Sequence, residues 1–134
     1  MAEKIVSSNP RKINKSASYL FDFLSDFRNF ISILPEDRIE KWESNENSCT
    51  FTIIGLARLS FSITEKKPTT QIVYHSNTLE TMPITLIVNF TEIDATNTIA
   101  QIELKTAMSG VVFMFAEKQL KNLVEKMTEK MNDL

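Results

Sequence analysis

Between Ile39 and Met108 apolar side chains recur at every second position, with only short polar breaks. A helix cannot carry that spacing, whereas an extended strand with one buried and one wet face requires it. Ile39 to Ser44 is the first run, and Asn45-Glu46-Asn47 is a turn. Cys49, Phe51 and Ile53 then alternate with Thr50 and Thr52 as far as Gly55. Leu59, Phe61 and Ile63 alternate with Ser60 and Ser62, and Lys66-Lys67-Pro68 turns the chain again. Ile72 and Tyr74 alternate with Gln71, Val73 and His75. Pro83 opens a run in which Ile84, Leu86, Val88 and Phe90 alternate with Thr85, Ile87 and Asn89. After a turn at 94–97, Ala100, Ile102, Leu104, Thr106 and Met108 alternate with Gln101, Glu103 and Lys105. Connections this short join antiparallel neighbours, because a parallel crossover needs a dozen or more residues.

Both flanks carry other periods. Lys4 to Asn14 reads as a strand, and Pro10 inside it removes a backbone donor. That strand is expected at a sheet edge or with a bulge. From Ser16, a suitable N-cap, Leu20, Phe21, Leu24, Phe27, Ile31 and Leu34 recur at helical steps. Ser25-Asp26 offers a second cap, so two consecutive helices are expected to meet at Asp26, and Pro35 ends them. After Ser109-Gly110 comes a long helix whose stripe is Phe113, Ala116, Leu120, Leu123, Val124, Met127, Met131 and Leu134. Glu117 and Lys121 on its wet face have the favourable i,i+4 order.

The resulting order is strand, helix pair, about six strands, long helix. A sheet with one apolar face must be covered, and only the C-terminal helix is large enough. The fold class is α+β: a twisted antiparallel sheet of about six to seven strands wrapped round a long C-terminal helix. The 134 residues are expected to form one domain, 1–134.

Composition narrows the chemistry. Two glycines, Gly55 and Gly110, cannot build a phosphate-cradling loop. One histidine and one cysteine, His75 and Cys49, cannot build a zinc site from such side chains. No metal and no cofactor is expected. Fifteen basic against seventeen acidic residues, a net charge of −2, argue against nucleic acid as a partner. The longest apolar run, Val111 to Ala116, is far short of a membrane span. The start of the chain shows no apolar stretch of signal-peptide length, and the lone cysteine suits a reducing compartment. The expected location is cytoplasmic.

The run Lys12-Ile13-Asn14-Lys15-Ser16-Ala17-Ser18-Tyr19-Leu20-Phe21-Asp22-Phe23-Leu24-Ser25-Asp26 resembles the START-related, Bet v 1-like helix-grip superfamily, which includes polyketide cyclase-like proteins (SRPBCC). The likeness lies in an alternating first strand, a small residue at the helix start, an apolar-aromatic pair, then an Asp before a second short helix. The element order extends it over nearly the whole chain. At this length the chain resembles the minimal bacterial form, and its glycine-poor loops depart from the plant allergen branch. The resemblance implies a cavity between sheet and C-terminal helix that holds an apolar small molecule or lipid.

The cavity is expected to be lined by Phe27 and Phe30 from the helix pair. The strands are expected to contribute Phe51, Ile53, Leu59, Phe61, Tyr74, Leu86, Val88, Leu104 and Thr106. Met108, Phe113, Met114 and Leu120 complete the list. Tyr74 could donate to a ligand carbonyl. His75, on the opposite face from Tyr74, is expected to point outward, and Cys49 to be a buried structural thiol. Asp26 reads as a cap, and no carboxylate is forced into apolar surroundings. Binding without catalysis is the leading expectation. The alternative is a protein-interaction module or homodimer using Val112 and Phe115 at the apolar helix start, or Trp42. A cyclase- or hydrolase-like enzyme is a second alternative that rests on the resemblance alone.

Overall fold

The structure is a computed structural model that describes residues 3–55, 57–76 and 84–134. Pro83, expected to open a strand, lies outside the described residues.

Eight strands form one antiparallel sheet: β1 (Lys4–Ser7), β2 (Arg11–Ile13), β3 (Ile39–Ser44), β4 (Ser48–Ile53), β5 (Ala57–Lys67), β6 (Gln71–Ser76), β7 (Ile84–Asp94) and β8 (Asn97–Thr106). Their order is β1-β8-β7-β6-β5-β4-β3, with β2 also on β8. The first predicted strand is thus two. Pro10 lies in the break, and Ser8 holds the register by exchanging hydrogen bonds with the Ile102 backbone at 2.8 and 2.9 Å. β1 and β3 are the edges of that order. A bulge between Glu40 and Glu43, with Lys41 at φ 55°, interrupts the β3 edge and discourages pairing with another chain.

The turns follow their residues. Asn45 Oδ1 accepts from the backbone of Asn47 and Ser48 at 2.9 and 3.0 Å. Gly55, at φ 80°, supplies the left-handed conformation after β4. Asp94 Oδ1 accepts from Thr96 N at 2.9 Å.

On the inner face, cross-strand register puts Ile63 beside Tyr74, Tyr74 beside Leu86, and Leu86 beside Leu104. Phe51 faces Leu59, and Cys49 faces Phe61. Helix α1 (Ala17–Leu24) starts where Ser16 Oγ accepts from Tyr19 N at 3.0 Å. Helix α2 (Phe27–Phe30) starts where Asp26 Oδ1 accepts from Arg28 N at 2.9 Å. A 3-10 turn over Ile31–Ile33 follows, and Leu34 is extended ahead of Pro35.

Helix α3 (Gly110–Lys130) is capped by Ser109 Oγ, which accepts from Val112 N at 3.3 Å. Its inner stripe buries Ala116, Leu120, Leu123, Val124, Met127 and Thr128 against the sheet. One edge of α3, and the Met131–Asp133 turn after it, are tied to β1 and to the chain around β2. Lys121 Nζ donates to Ser7 O, Glu125 accepts twice from Asn9 at 2.9 Å, and Asn132 Oδ1 accepts from Asn14 N at 2.9 Å. Lys121 therefore serves β1 and Glu125, not the expected Glu117.

Candidate functional site

The sheet and α3 enclose a seam at the centre of the molecule. Phe51, Ile53, Leu59, Phe61, Ile84, Leu86 and Leu104 reach it from the strands. Leu120, Leu123 and Met127 reach it from α3, and Leu34 from the end of the helix pair. Only about 10 Å³ is left open between them. That is about one water's worth of space, and its apolar walls offer a water no hydrogen bond.

Of the residues expected in a cavity, Phe51, Ile53, Leu59, Phe61, Leu86, Leu104 and Leu120 surround this seam. Phe27, Phe30 and Tyr74 instead form a separate aromatic cluster, with ring centroids 5.0 to 5.3 Å apart. Tyr74 Oη donates to Leu24 O at 2.8 Å, so its hydroxyl is committed to the fold. Val88 and Met108 are buried elsewhere in the core, and Phe113 packs half-buried against it. Thr106 Oγ1 accepts from Met108 N at 3.3 Å, which satisfies it locally. Met114 departs most from expectation. It is 77% exposed, because it lies on the face of α3 opposite the buried stripe.

Leu34, Ile84, Leu123 and Met127 line the seam without having been expected there. Leu123 and Met127 belong to the α3 stripe, whose period marked them as buried but not as facing the seam.

A second space lies outside. An open groove of about 830 Å³ runs between the Glu36–Arg38 turn and α3. Its rim is polar, with Arg38, Gln119, Asn122, Lys126 and Glu129 among the side chains. Its apolar floor includes Ile53 and Leu123, which also line the seam.

The titratable groups are explained by structure. Burial pushes the Cys49 thiol up to about 12, which keeps it protonated. Burial likewise raises Tyr74. The Arg28 side chain bonded to Asp26 holds its carboxyl below the usual carboxylate range. His75 is exposed on the outer face, its Nδ1 3.0 Å from Thr85 Oγ1. Trp42, expected as a partner surface, is partly buried with its ring 5.6 Å from that of Phe51. Val112 and Phe115 are exposed, by 44% and 81%. No group of three or more His, Cys, Asp or Glu stands placed to hold a metal ion among the described residues.

No protein-family model matches this chain, and no curated protein matches its sequence. Solved structures match its shape. A START superfamily protein from Mycobacterium smegmatis superposes with a TM-score of 0.69 at 13% identity, covering 96% of this chain and 94% of that one. Norcoclaurine synthase from Thalictrum flavum, in complex with dopamine and hydroxybenzaldehyde, gives 0.73 at 7% identity, covering 98% and 86%. A Thermus thermophilus protein gives 0.74 at 12% identity, covering 97% and 95%. The chain thus has a START-like, Bet v 1-like helix-grip fold.

Proposed function

We propose that this protein binds an apolar small molecule or a lipid chain in the seam between the sheet and α3. In this reading residues 1–134 act as one cytoplasmic binding domain without a cofactor. One observation carries the proposal: every side chain around the open space of the seam is apolar. Among solved structures of the same fold, norcoclaurine synthase is in complex with dopamine and hydroxybenzaldehyde. The seam must widen to admit a ligand, since 10 Å³ accommodates none. The driving force is desolvation. Each methylene leaving water contributes roughly 0.8 kcal/mol, so a ten-carbon chain gains up to about 8 before the costs of binding and opening. With no ionisable group among the described residues around the seam, the ligand would be held and not transformed.

Native mass spectrometry of the purified protein, together with titration of a neutral naphthylamine fluorophore, tests this. The expected result is a co-purifying adduct or saturable fluorescence enhancement. A folded protein that shows neither overturns the proposal.

A second reading rests on the start of α3. Val111, Val112, Met114 and Phe115 are 44% to 81% exposed, and Ile5 on β1 lines a shallow space with Met114. Contiguous exposed apolar side chains mark contact surfaces. We read this face as one that a second copy or another protein covers. Light scattering after size exclusion should show a dimer that Phe115→Ser weakens, and a strictly monomeric wild type removes the dimer form of this reading.

A further inference from the structure

We infer that the seam is entered from the side, between the Glu36–Arg38 turn and α3, past Ile53 and Leu123, and that its ligand is an amphiphile whose single carboxylate meets Arg38. This inference rests on the proposed binding in the seam and specifies the route and the ligand class.

The route follows from shared walls. Ile53 and Leu123 line both the 10 Å³ seam and the 830 Å³ groove, so these two side chains stand where the inner space and the outer one meet. Leu123 is also the most exposed of the seam residues, at 9%. The start of α3 gives no comparable approach. The first α3 residue to reach the seam is Leu120, and Ala116 and the half-buried Phe113 pack against the core ahead of it.

Hydrogen bonding makes the same side the easier one to open. Towards β1 and β2, α3 is held by Lys121 and Glu125, and the turn that follows it by Asn132. On the groove side, Lys130 Nζ donates to Leu34 O at 2.8 Å, near the far end of the helix. Beside Leu123 the side-chain tie across the groove is Arg38 Nη2 to Gln119 Oε1, at 3.3 Å. A bond of that length is at the weak end of the range. A small outward shift of α3 here breaks one weak bond and keeps the others.

The ligand class follows from the rim. Arg38 Nη2 reaches two neutral acceptors, Gln119 Oε1 at 3.3 Å and Ile54 O at 3.4 Å. Its Nε and Nη1 have no hydrogen-bond partner among the described residues, and no carboxylate pairs with the guanidinium there. The neighbouring rim cations are engaged, Lys126 with Glu129 at 3.9 Å and Lys130 with Leu34 O. A guanidinium fork with spare donors matches a planar carboxylate. Glu36, Asp37, Glu125 and Glu129 share the rim, so a doubly charged phosphate head would meet about twice the repulsion that a single carboxylate meets. An apolar chain past Ile53 and Leu123, with its carboxylate at Arg38, uses both surfaces.

Displacement of the naphthylamine fluorophore by decanoate, decanol and decyl phosphate tests the head group. Wild type should bind decanoate tightest. Arg38→Gln should lose about two- to fivefold in decanoate affinity, the worth of an exposed ion pair, and leave decanol unchanged. Stopped-flow mixing with the fluorophore tests the route. Leu123→Ala should raise the association rate severalfold, whereas Phe113→Ala at the helix start should not. Circular dichroism melts establish that each variant is folded. Equal decanoate and decanol affinities, a preference for decyl phosphate, or an association rate that follows Phe113 each overturn the inference while leaving binding in the seam intact. A wild type that binds neither fluorophore nor chain removes the seam reading, and this inference falls with it.

Discussion

Tyr74 shows how one polar atom can be spoken for by the fold. Its ring stands 5.2 Å from that of Phe27 and 5.0 Å from that of Phe30, and its hydroxyl donates to Leu24 O at the end of α1. Tyr74→Phe keeps the packing and leaves that carbonyl unpaired in the interior. The expected loss is about 1–3 kcal/mol, read from the midpoint of urea unfolding. Cys49 is a second case. Its thiol is held up to about 12 from an ordinary 9.0, so the thiolate is scarce at pH 8. Reaction with a disulfide reagent at pH 8 should wait on unfolding, and a fast phase in native buffer would contradict the burial described. The sign of the linkage also follows. Because burial penalises the Cys49 thiolate, stability falls as pH climbs from 9.0 towards 12. Asp26 runs the other way: its lowered carboxyl supports the fold above its unfolded value of 3.8, and that support fades as pH falls through the lower folded value.

At the scale of elements, the caps at Ser16 and Asp26 were legible in the chain's own letters, while Ser109 marked only where the long helix begins. Ser16, Asp26 and Ser109 each accept a backbone N–H from their own helix. Ser16→Ala should cost about 1 kcal/mol in unfolding free energy, with α1 the element that frays in hydrogen exchange. The strands were legible for an equally local reason. Alternation records which face is buried, and a slip of one residue would turn every inner side chain outward. Strand interruption was partly legible. Pro10 announced an edge or a bulge, but the split into β1 and β2 depends on Ser8 finding Ile102 on β8, ninety-odd positions away. The start of α3 was marked as apolar on every side. Which of its residues face outward required the phase of the helix, set by the stripe that begins with Ala116.

For the whole molecule, the question is how firmly the seam is closed. Leu120 is fully buried and lines it from α3. Leu120→Ala should cost about 2–5 kcal/mol, because the lost side chain leaves a space its neighbours refill only in part. The variant should also bind benzene or a similar small apolar molecule, raising its melting temperature more than that of wild type. A variant that loses stability and gains no such binding would mean that the seam collapses when its filling is removed.

What the sequence by itself determined is the set of elements and the sign of each face. Period two, period 3.6, two caps and a few turn residues are local, and local physics is written in neighbouring letters. It also bounded the chemistry, since two glycines, one histidine and one cysteine leave little to build with. Only the tertiary structure decided which inner residues share a space. Phe27, Phe30 and Tyr74 looked equivalent to Phe51 and Phe61, yet the first three cluster where α2 meets β6 and the last two line the seam with α3. Arg38 was a charge in a loop until Gln119, eighty-one positions later, was brought beside it across a groove. Such juxtapositions arise from how α3 seats on the sheet, a sum of many contacts between residues far apart in the chain.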